Sequence, residues 1–117
     1  MEFKIANTEY LEELSSGNPV LIRQIVELFL EQTPGDIELL ASHVRNQDWD
    51  ATYKQAHYLK PTLVYVGAKK LHEQVSTIEQ LAKKEKELDR LPEIVGGILP
   101  SFAILYNELA AYLQTID

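Results

Sequence analysis

Apolar residues recur at spacings of three and four along every long segment, and no segment alternates apolar and polar residues as a half-buried strand does. A helix turns once in about 3.6 residues, so this spacing places the apolar side chains on one helical face. The clearest such stripe follows Asp48 and consists of Trp49, Thr52, Ala56, Leu59, Leu63 and Val66. The pattern predicts an all-α protein.

Start and stop signals divide the chain into six predicted helices. Asn18-Pro19 and Thr33-Pro34 each combine a capping side chain with a proline suited to the first helical turn. Gly67 is a residue type that commonly ends a helix, and Gly96, Gly97 and Pro100 predict a kink or break in the last helix. The predicted helices begin near Thr8, Asn18, Thr33, Asp48, Ala68 and Leu91.

The second predicted helix carries apolar residues together with one glutamine on one side, namely Leu21, Ile25, Leu28, Phe29 and Gln32. The connections between helices are short, which favours antiparallel neighbours. We therefore expect a single domain over residues 1–117. The third to sixth helices would form an antiparallel up-down four-helix bundle over about residues 34–117. Additional N-terminal helices over about residues 8–32 would pack at one end.

Charge and composition exclude several classes of function. The net charge of -7 argues against nucleic acid as a partner, although Lys54, Lys60, Lys69 and Lys70 concentrate positive charge around the fourth predicted helix. Cysteine is absent, so thiol chemistry and disulfides are excluded. No uninterrupted apolar run approaches the roughly 18 residues of a membrane span, and the first residues do not resemble a signal peptide. We expect a cytoplasmic protein without membrane contact.

Familiar catalytic motifs are missing. The sequence contains no phosphate-binding loop, no dinucleotide-binding glycine pattern and no nucleophile elbow. His72-Glu73 begins a near miss to a zinc motif, but Ser76 stands where the second histidine should be. A metal-dependent enzyme using His43, His72 and nearby carboxylates is an alternative that no ligand spacing supports.

His57 differs from the other histidines in its direction. At about 100° per residue it points roughly 130° away from the apolar stripe of its helix, so it should be exposed. Lys54 and Lys60 lie three residues to either side, one helical turn away. A largely neutral imidazole is a nucleophile at pH 7, and ammonium groups would balance an incoming phosphoryl charge. These residues predict a phosphoryl acceptor.

The segment Ala56-His57-Tyr58-Leu59-Lys60 resembles the A-H-x-L-K-G motif of histidine-containing phosphotransfer (HPt) domains. Further segments resemble the family in the same order over about 100 residues. They are Leu28–Leu30 with Thr33-Pro34, Asn46–Trp49, and Val66–Ala68 followed by Leu71. The resemblance implies a helical bundle with the phosphorylated histidine exposed in mid-helix.

The resemblance also assigns roles to residues. His57 would accept the phosphoryl group, Lys60 would stabilise it, and Glu79 would orient the imidazole. Pro61 departs from the family pattern, which has glycine there, and it predicts a kink and an altered docking surface. The face that receives the partner would include Lys54, Pro61 and Val64.

The implied function is that of a phosphocarrier in a multistep two-component phosphorelay. The chain would take the group from a receiver-domain aspartate and pass it to another receiver. Response-regulator receivers and a hybrid sensor histidine kinase are the expected partners. Because the chain has no nucleotide site, we expect that it does not phosphorylate itself with ATP and is not an enzyme. We further expect a monomer that binds no cofactor, with Mg²⁺ held by the receiver. The alternative is a helical interaction module that binds a receiver or another signalling protein without phosphorylation.

Overall fold

The computed structural model describes residues 2–116, which form five α-helices and one short 3₁₀ helix and include no strand. The helices are α1 (Glu9–Ser15), α2 (Pro19–Arg45), α3 (Trp49–Tyr65), α4 (Lys69–Lys84) and α5 (Leu91–Leu113), and the 3₁₀ turn spans Leu88–Arg90. The prediction of an all-α protein is confirmed.

Local capping explains several helix ends that the sequence predicted. The Asn18 side chain accepts a backbone hydrogen bond at 3.0 Å at the start of α2, and the Asp48 side chain accepts one at 3.2 Å at the start of α3. Gly67 follows α3 with φ +68°, and the next amide, that of Ala68, donates to the Leu63 carbonyl at 3.0 Å. These contacts satisfy backbone groups that a helix end leaves without partners.

The predicted helix boundary at Thr33-Pro34 is wrong, because α2 runs without interruption from Pro19 to Arg45. A proline inside a helix removes one hydrogen bond and costs about 3 kcal/mol relative to alanine. Burial on both sides of Pro34 offsets that cost, since the two halves share one apolar face and Thr33 itself is buried. That face consists of Ile22, Val26, Phe29, Thr33, Ile37, Leu40, Ala41 and Val44.

In the first half of α2, the buried face differs from the side that the sequence predicted. Phe29 is buried as expected, but Leu21 and Leu28 are exposed, by 38% and 52%. The buried face is centred on Ile22 and Val26, about one residue further round the helix than the predicted side. Leu21 and Leu28 are therefore apolar residues of the surface.

Helix α5 contains no break at Gly96, Gly97 or Pro100. Within residues 2–116, one segment, Leu88–Leu113, is apolar and long enough to cross a membrane by length and composition, with a mean hydropathy of 1.4, although charged residues interrupt it. A core helix of a bundle passes the same test. Buried side chains recur along α5 at alternating spacings of four and three, as expected of a helix packed in a bundle. They are Leu91, Val95, Ile98, Phe102, Leu105, Leu109 and Tyr112, with Leu113 beside them.

Four helices enclose the core. Helix α3 packs most extensively on α4, α2 packs on both α3 and α5, and α4 packs on α5, so the four helices form a closed ring. Leu40, Leu59, Ile78 and Leu105, one from each helix, are fully buried in its centre. Helix α1 lies outside this ring against α2 and α3. The helical bundle that the sequence predicted is thus present.

Candidate functional site

His57 stands in the middle of α3 with 74% of its side chain exposed. Its neighbours Ala56 and Leu59 are fully buried, so the helix is anchored on the opposite side. The exposure deduced from the helical phase of the sequence is confirmed. A rigid helix therefore presents this imidazole to solvent.

Glu79 of α4 reaches the imidazole from the neighbouring helix. Its Oε2 lies 2.7 Å from Nδ1 of His57, although only 8% of the Glu79 side chain is exposed. Ile78 and Ala82 on the same helix are buried in the core, and Glu79 is buried with them. The contact joins α3 and α4, the two helices that pack most extensively.

Lys60 binds the other oxygen of the same carboxylate. Its Nζ donates to Oε1 of Glu79 at 2.7 Å, and 26% of the lysine side chain is exposed. Burial raises the pKa of the Glu79 carboxyl, but the hydrogen bonds from Lys60 and His57 outweigh it, and this pKa lies below its ordinary value of 4.5. The carboxylate is therefore charged at neutral pH and bridges the two side chains.

This bridge determines which nitrogen of His57 is available. A carboxylate only accepts hydrogen bonds, so the geometry assigns a proton to Nδ1, and in the neutral imidazole the lone pair is then on Nε2. Because the ring is exposed, an unprotonated Nε2 is accessible to a reactant from solvent. The arrangement can present one nitrogen of a neutral imidazole as a nucleophile.

Lys54, the second lysine next to His57 in sequence, is not part of this cluster. Its Nζ contacts Oδ2 of Asp50 at 2.8 Å, one turn back on the exposed face of α3. Lys69 and Lys70 begin α4, about 15 Å along the helix from Glu79. The four lysines therefore do not form one basic patch at His57.

The residues after Lys60 keep α3 helical for another turn. The helix continues through Pro61 to Tyr65, and the hydroxyl of Thr62 donates to the Leu59 carbonyl at 2.7 Å. Pro61 and Val64 are both exposed, Val64 by 45%. The side chains predicted for docking, including Lys54, are thus on the surface of α3.

An apolar groove of about 450 Å³ lies beside His57 between α1, α2 and α3. Helix α3 contributes Tyr58, Thr62 and Tyr65, so the groove begins at the residue next to His57. The sequence analysis did not identify this groove. A signal was present, because Leu28 and Tyr58 are large apolar residues that are more than half exposed. The other lining residues are Tyr10, Leu14, Ile25, Leu28, Phe29, Gln32, Thr33, Asp36 and Val66.

The other histidines are separate from this site. His43 lies near the end of α2 and His72 lies in the first turn of α4, and both are half-buried. Within residues 2–116, no three histidine, aspartate or glutamate side chains come close enough together to hold a metal ion. Nothing in the described part of the chain supports the metal-enzyme alternative.

Comparison with known families agrees with this geometry. The sequence model of the Hpt domain matches residues 24–117, which include all of α3, α4 and α5 and most of α2. No curated protein and no solved structure matches the chain. Hpt domains are phosphocarrier modules of two-component phosphorelays and typically interact with the receiver domains of response regulators. An exposed histidine on a helical bundle, together with this match over most of the chain, shows that the protein belongs to the Hpt domain family.

Proposed function

We propose that the protein is a phosphocarrier that accepts a phosphoryl group on His57 from a receiver-domain aspartate and passes it to a second receiver. The observation that carries this proposal is the exposed imidazole of His57 with Glu79 bound to its Nδ1 at 2.7 Å. The chain supplies the nucleophile and its orientation. It needs no nucleotide site, because the receiver brings an already activated phosphoryl group.

The transfer forms a bond between Nε2 of His57 and phosphorus and breaks the bond between phosphorus and the aspartate oxygen. Glu79 holds the Nδ1 proton and thereby keeps the Nε2 lone pair available for in-line attack. The phosphorylated ring gains positive character, which the adjacent carboxylate stabilises. The reverse reaction with a second receiver returns the phosphoryl group to an aspartate.

Lys60 stabilises the negative charge of the phosphoryl group. In the unphosphorylated protein its ammonium group is held by Glu79, 2.7 Å away, and its side chain still reaches solvent. A small rotation about its flexible side chain brings Nζ towards a phosphoryl group on the adjacent imidazole. Mg²⁺ would be held by the receiver, where it would neutralise negative charge on the phosphoryl group.

The receiver docks across the exposed face of α3 and the adjoining groove. Lys54, Pro61 and Val64 surround His57 on this face, and Tyr58 continues it into the apolar groove. Continuity with His57 favours a receiver as the occupant of the groove, because a receiver must reach the imidazole to exchange the group. We place this exchange between a monomer of the chain and receivers in the cytoplasm, with a hybrid sensor kinase as the upstream source.

The proposal is tested by incubating the protein with phosphorylated receiver domains of the source organism. We expect the phosphoryl label to appear on the wild-type chain and to be absent from His57→Gln. His43→Gln is the matched control and should be labelled like the wild type. Labelling that persists in His57→Gln would refute the assignment.

Pro61 favours a second candidate, a module that binds receivers without phosphorylation. Glycine at this position would leave more room for a partner next to the histidine, whereas the proline ring is exposed one turn from His57. Receiver binding without any transfer to the wild-type chain would support this candidate. Transfer that improves in Pro61→Gly would instead show that proline only slows docking of a working phosphocarrier.

A further inference from the structure

The N-terminal strap, defined here as residues 2–8, is bound by a single carboxylate on α5. The backbone N–H of Lys4 donates to Oε2 of Glu108 at 2.5 Å. The next two N–H groups, of Ile5 and Ala6, donate to Oε1 at 3.1 and 2.9 Å. The strap has no regular secondary structure, so these bonds take the place of those a helix or sheet would supply.

The strap then crosses the turn between α3 and α4. The N–H of Asn7 donates to the Val66 carbonyl at 2.9 Å. Gly67 lies so close to the strap that a Cβ atom at this position would be 2.2 Å from the Asn7 carbonyl oxygen. Glycine is required here for its positive φ and also for the close approach of the strap.

Helix α1 follows directly and depends on these contacts. It has seven residues, and a helix that short is not stable in water by itself. Its orientation is held by the strap at one end and by the fully buried Leu11. Tyr10 stacks on Tyr65 of α3, with the rings nearly parallel and their centroids 6.2 Å apart.

Through Tyr10 and Leu14, helix α1 supplies one wall of the groove next to His57. Both side chains are partly exposed, by 39% and 47%, and so are available to a docked protein. By contrast, the hydrogen bonds of His57, Lys60 and Glu79 are made between α3 and α4 and do not involve the strap. The wall of the groove and the reactive cluster are therefore held by different contacts.

We propose that Glu108 is a positioning residue for receiver docking, acting through the strap and α1 on the groove wall formed by Tyr10 and Leu14. This inference rests on the proposed function, since it takes the receiver domain as the occupant of the groove. Glu108 touches neither the receiver nor the phosphoryl group. It determines the affinity for the receiver and leaves the reactivity of His57 unchanged.

The test compares Glu108→Ala with Glu93→Ala, which removes an equal charge from the same helix about 22 Å away. Binding is measured with the receiver that exchanges most rapidly with the wild-type chain. Glu108→Ala should weaken binding by about tenfold, the equivalent of roughly 1.4 kcal/mol. Glu108→Gln, which keeps one acceptor oxygen, should show a smaller loss, and Glu93→Ala should bind like the wild type.

Two further measurements separate positioning from a general loss of structure. Hydrogen exchange should accelerate in the strap and α1 of Glu108→Ala but not in α3 and α4. Phosphoramidate, a small phosphoryl donor that needs no docking surface, should label His57 at the same rate in both variants and in the wild type. Slower labelling of Glu108→Ala would overturn the inference, because Glu108 would then affect the chemistry.

Unchanged receiver affinity in Glu108→Ala would overturn the inference and leave the proposed function intact. Unchanged exchange in α1 would do the same, because the strap would then not hold the helix. A wild-type chain that neither binds a receiver nor is labelled by phosphoramidate would refute the proposed function and this inference with it. Glu108→Gln keeps the test decisive if Glu108→Ala does not fold.

Discussion

The two flanks of His57 look alike in the sequence and differ in the structure. Lys54 on the N-terminal flank and Lys60 on the C-terminal flank are each three residues from the histidine. Lys54 pairs with Asp50 on the surface of its own helix, whereas Lys60 pairs with the buried Glu79 of α4. Two lysines at the same distance from the histidine along the chain therefore differ in whether their partner lies on the same helix or on a neighbouring one.

The environments of the two ion pairs favour Lys60 over Lys54 for the proposed chemistry. Both partners of the Lys54–Asp50 pair are more than 60% exposed, so water screens their attraction. Glu79 is almost fully buried, which confines its carboxylate to one position between Lys60 and His57. A confined carboxylate can orient an imidazole, whereas a solvated one cannot.

Glu79→Ala should have the largest effect, because it removes the carboxylate that binds Lys60 on the C-terminal flank of His57. It removes the acceptor from both His57 and Lys60, so phosphotransfer should slow by roughly 10- to 100-fold, by analogy with the partners that orient metal-binding histidines. The free energy of unfolding should fall by about 1–3 kcal/mol because buried hydrogen bonds are lost. Single-turnover transfer and urea denaturation measure these two effects.

Glu73→Ala is the matched control for that substitution, since Glu73 is an exposed glutamate of the same helix. It should transfer and unfold like the wild type. An unchanged transfer rate in Glu79→Ala would remove Glu79 from the site.

Lys60→Ala should slow transfer while leaving the bundle folded. The loss should be about tenfold, the equivalent of one charged hydrogen bond of roughly 1.5 kcal/mol. Circular dichroism should be unchanged, because the lysine is only partly buried and is not one of the core residues. If the rate did not change, the phosphoryl group would be stabilised without this lysine.

The stability difference between the wild type and Glu79→Gln should depend on pH, because the glutamine side chain carries no charge on the C-terminal flank of His57. The lowered pKa of Glu79 means that its carboxylate stabilises the folded state above the ordinary value of 4.5, and this contribution is lost as pH falls through the folded-state pKa. Wild type should therefore unfold at higher urea concentration than Glu79→Gln at neutral pH. The difference should shrink in acid, and a difference independent of pH would contradict the assignment.

Lys54→Ala should have the smallest effect, and it tests the N-terminal flank of His57 as Lys60→Ala tests the C-terminal flank. Because Lys54 is engaged only by an exposed aspartate, the melting temperature should be unchanged. At a saturating concentration of receiver, the rate of transfer to His57 should change by less than about twofold, because Lys54 lies on the docking face and its own partner is an exposed aspartate. A loss as large as that of Lys60→Ala would mean that both flanks contribute to the chemistry.

The sequence predicted helix type and several ends well, because caps and stop residues act locally. Asn18, Asp48 and Gly67 all function as their residue types indicate. The helix boundary predicted at Pro34 was wrong because the effect of this proline is not local. It depends on how much apolar surface the continuous helix buries. The continuous face of α2 shows that tertiary packing outweighed the local signal.

The burial of Glu79 could not be predicted from local signals such as caps and stop residues, although the apolar pattern of α4 indicated it. Glu79 lies four residues after Val75 and three before Ala82, on the buried stripe of α4. A charged residue on such a stripe requires a partner of opposite charge or a hydrogen-bond donor. The pattern cannot say which residue of another helix that partner is.

By itself the sequence determined the helices and the direction of His57, because both follow from residue type and a fixed rotation of about 100° per residue. The helical phase placed two lysines one turn from the imidazole without distinguishing them, and only the resemblance to the HPt motif assigned the phosphoryl-stabilising role to Lys60. The tertiary structure added the physical difference between them, because only Lys60 contacts Glu79. Contacts between helices depend on how core side chains set the rotation and offset of α4 against α3, and that packing brings Glu79 to His57 and Lys60.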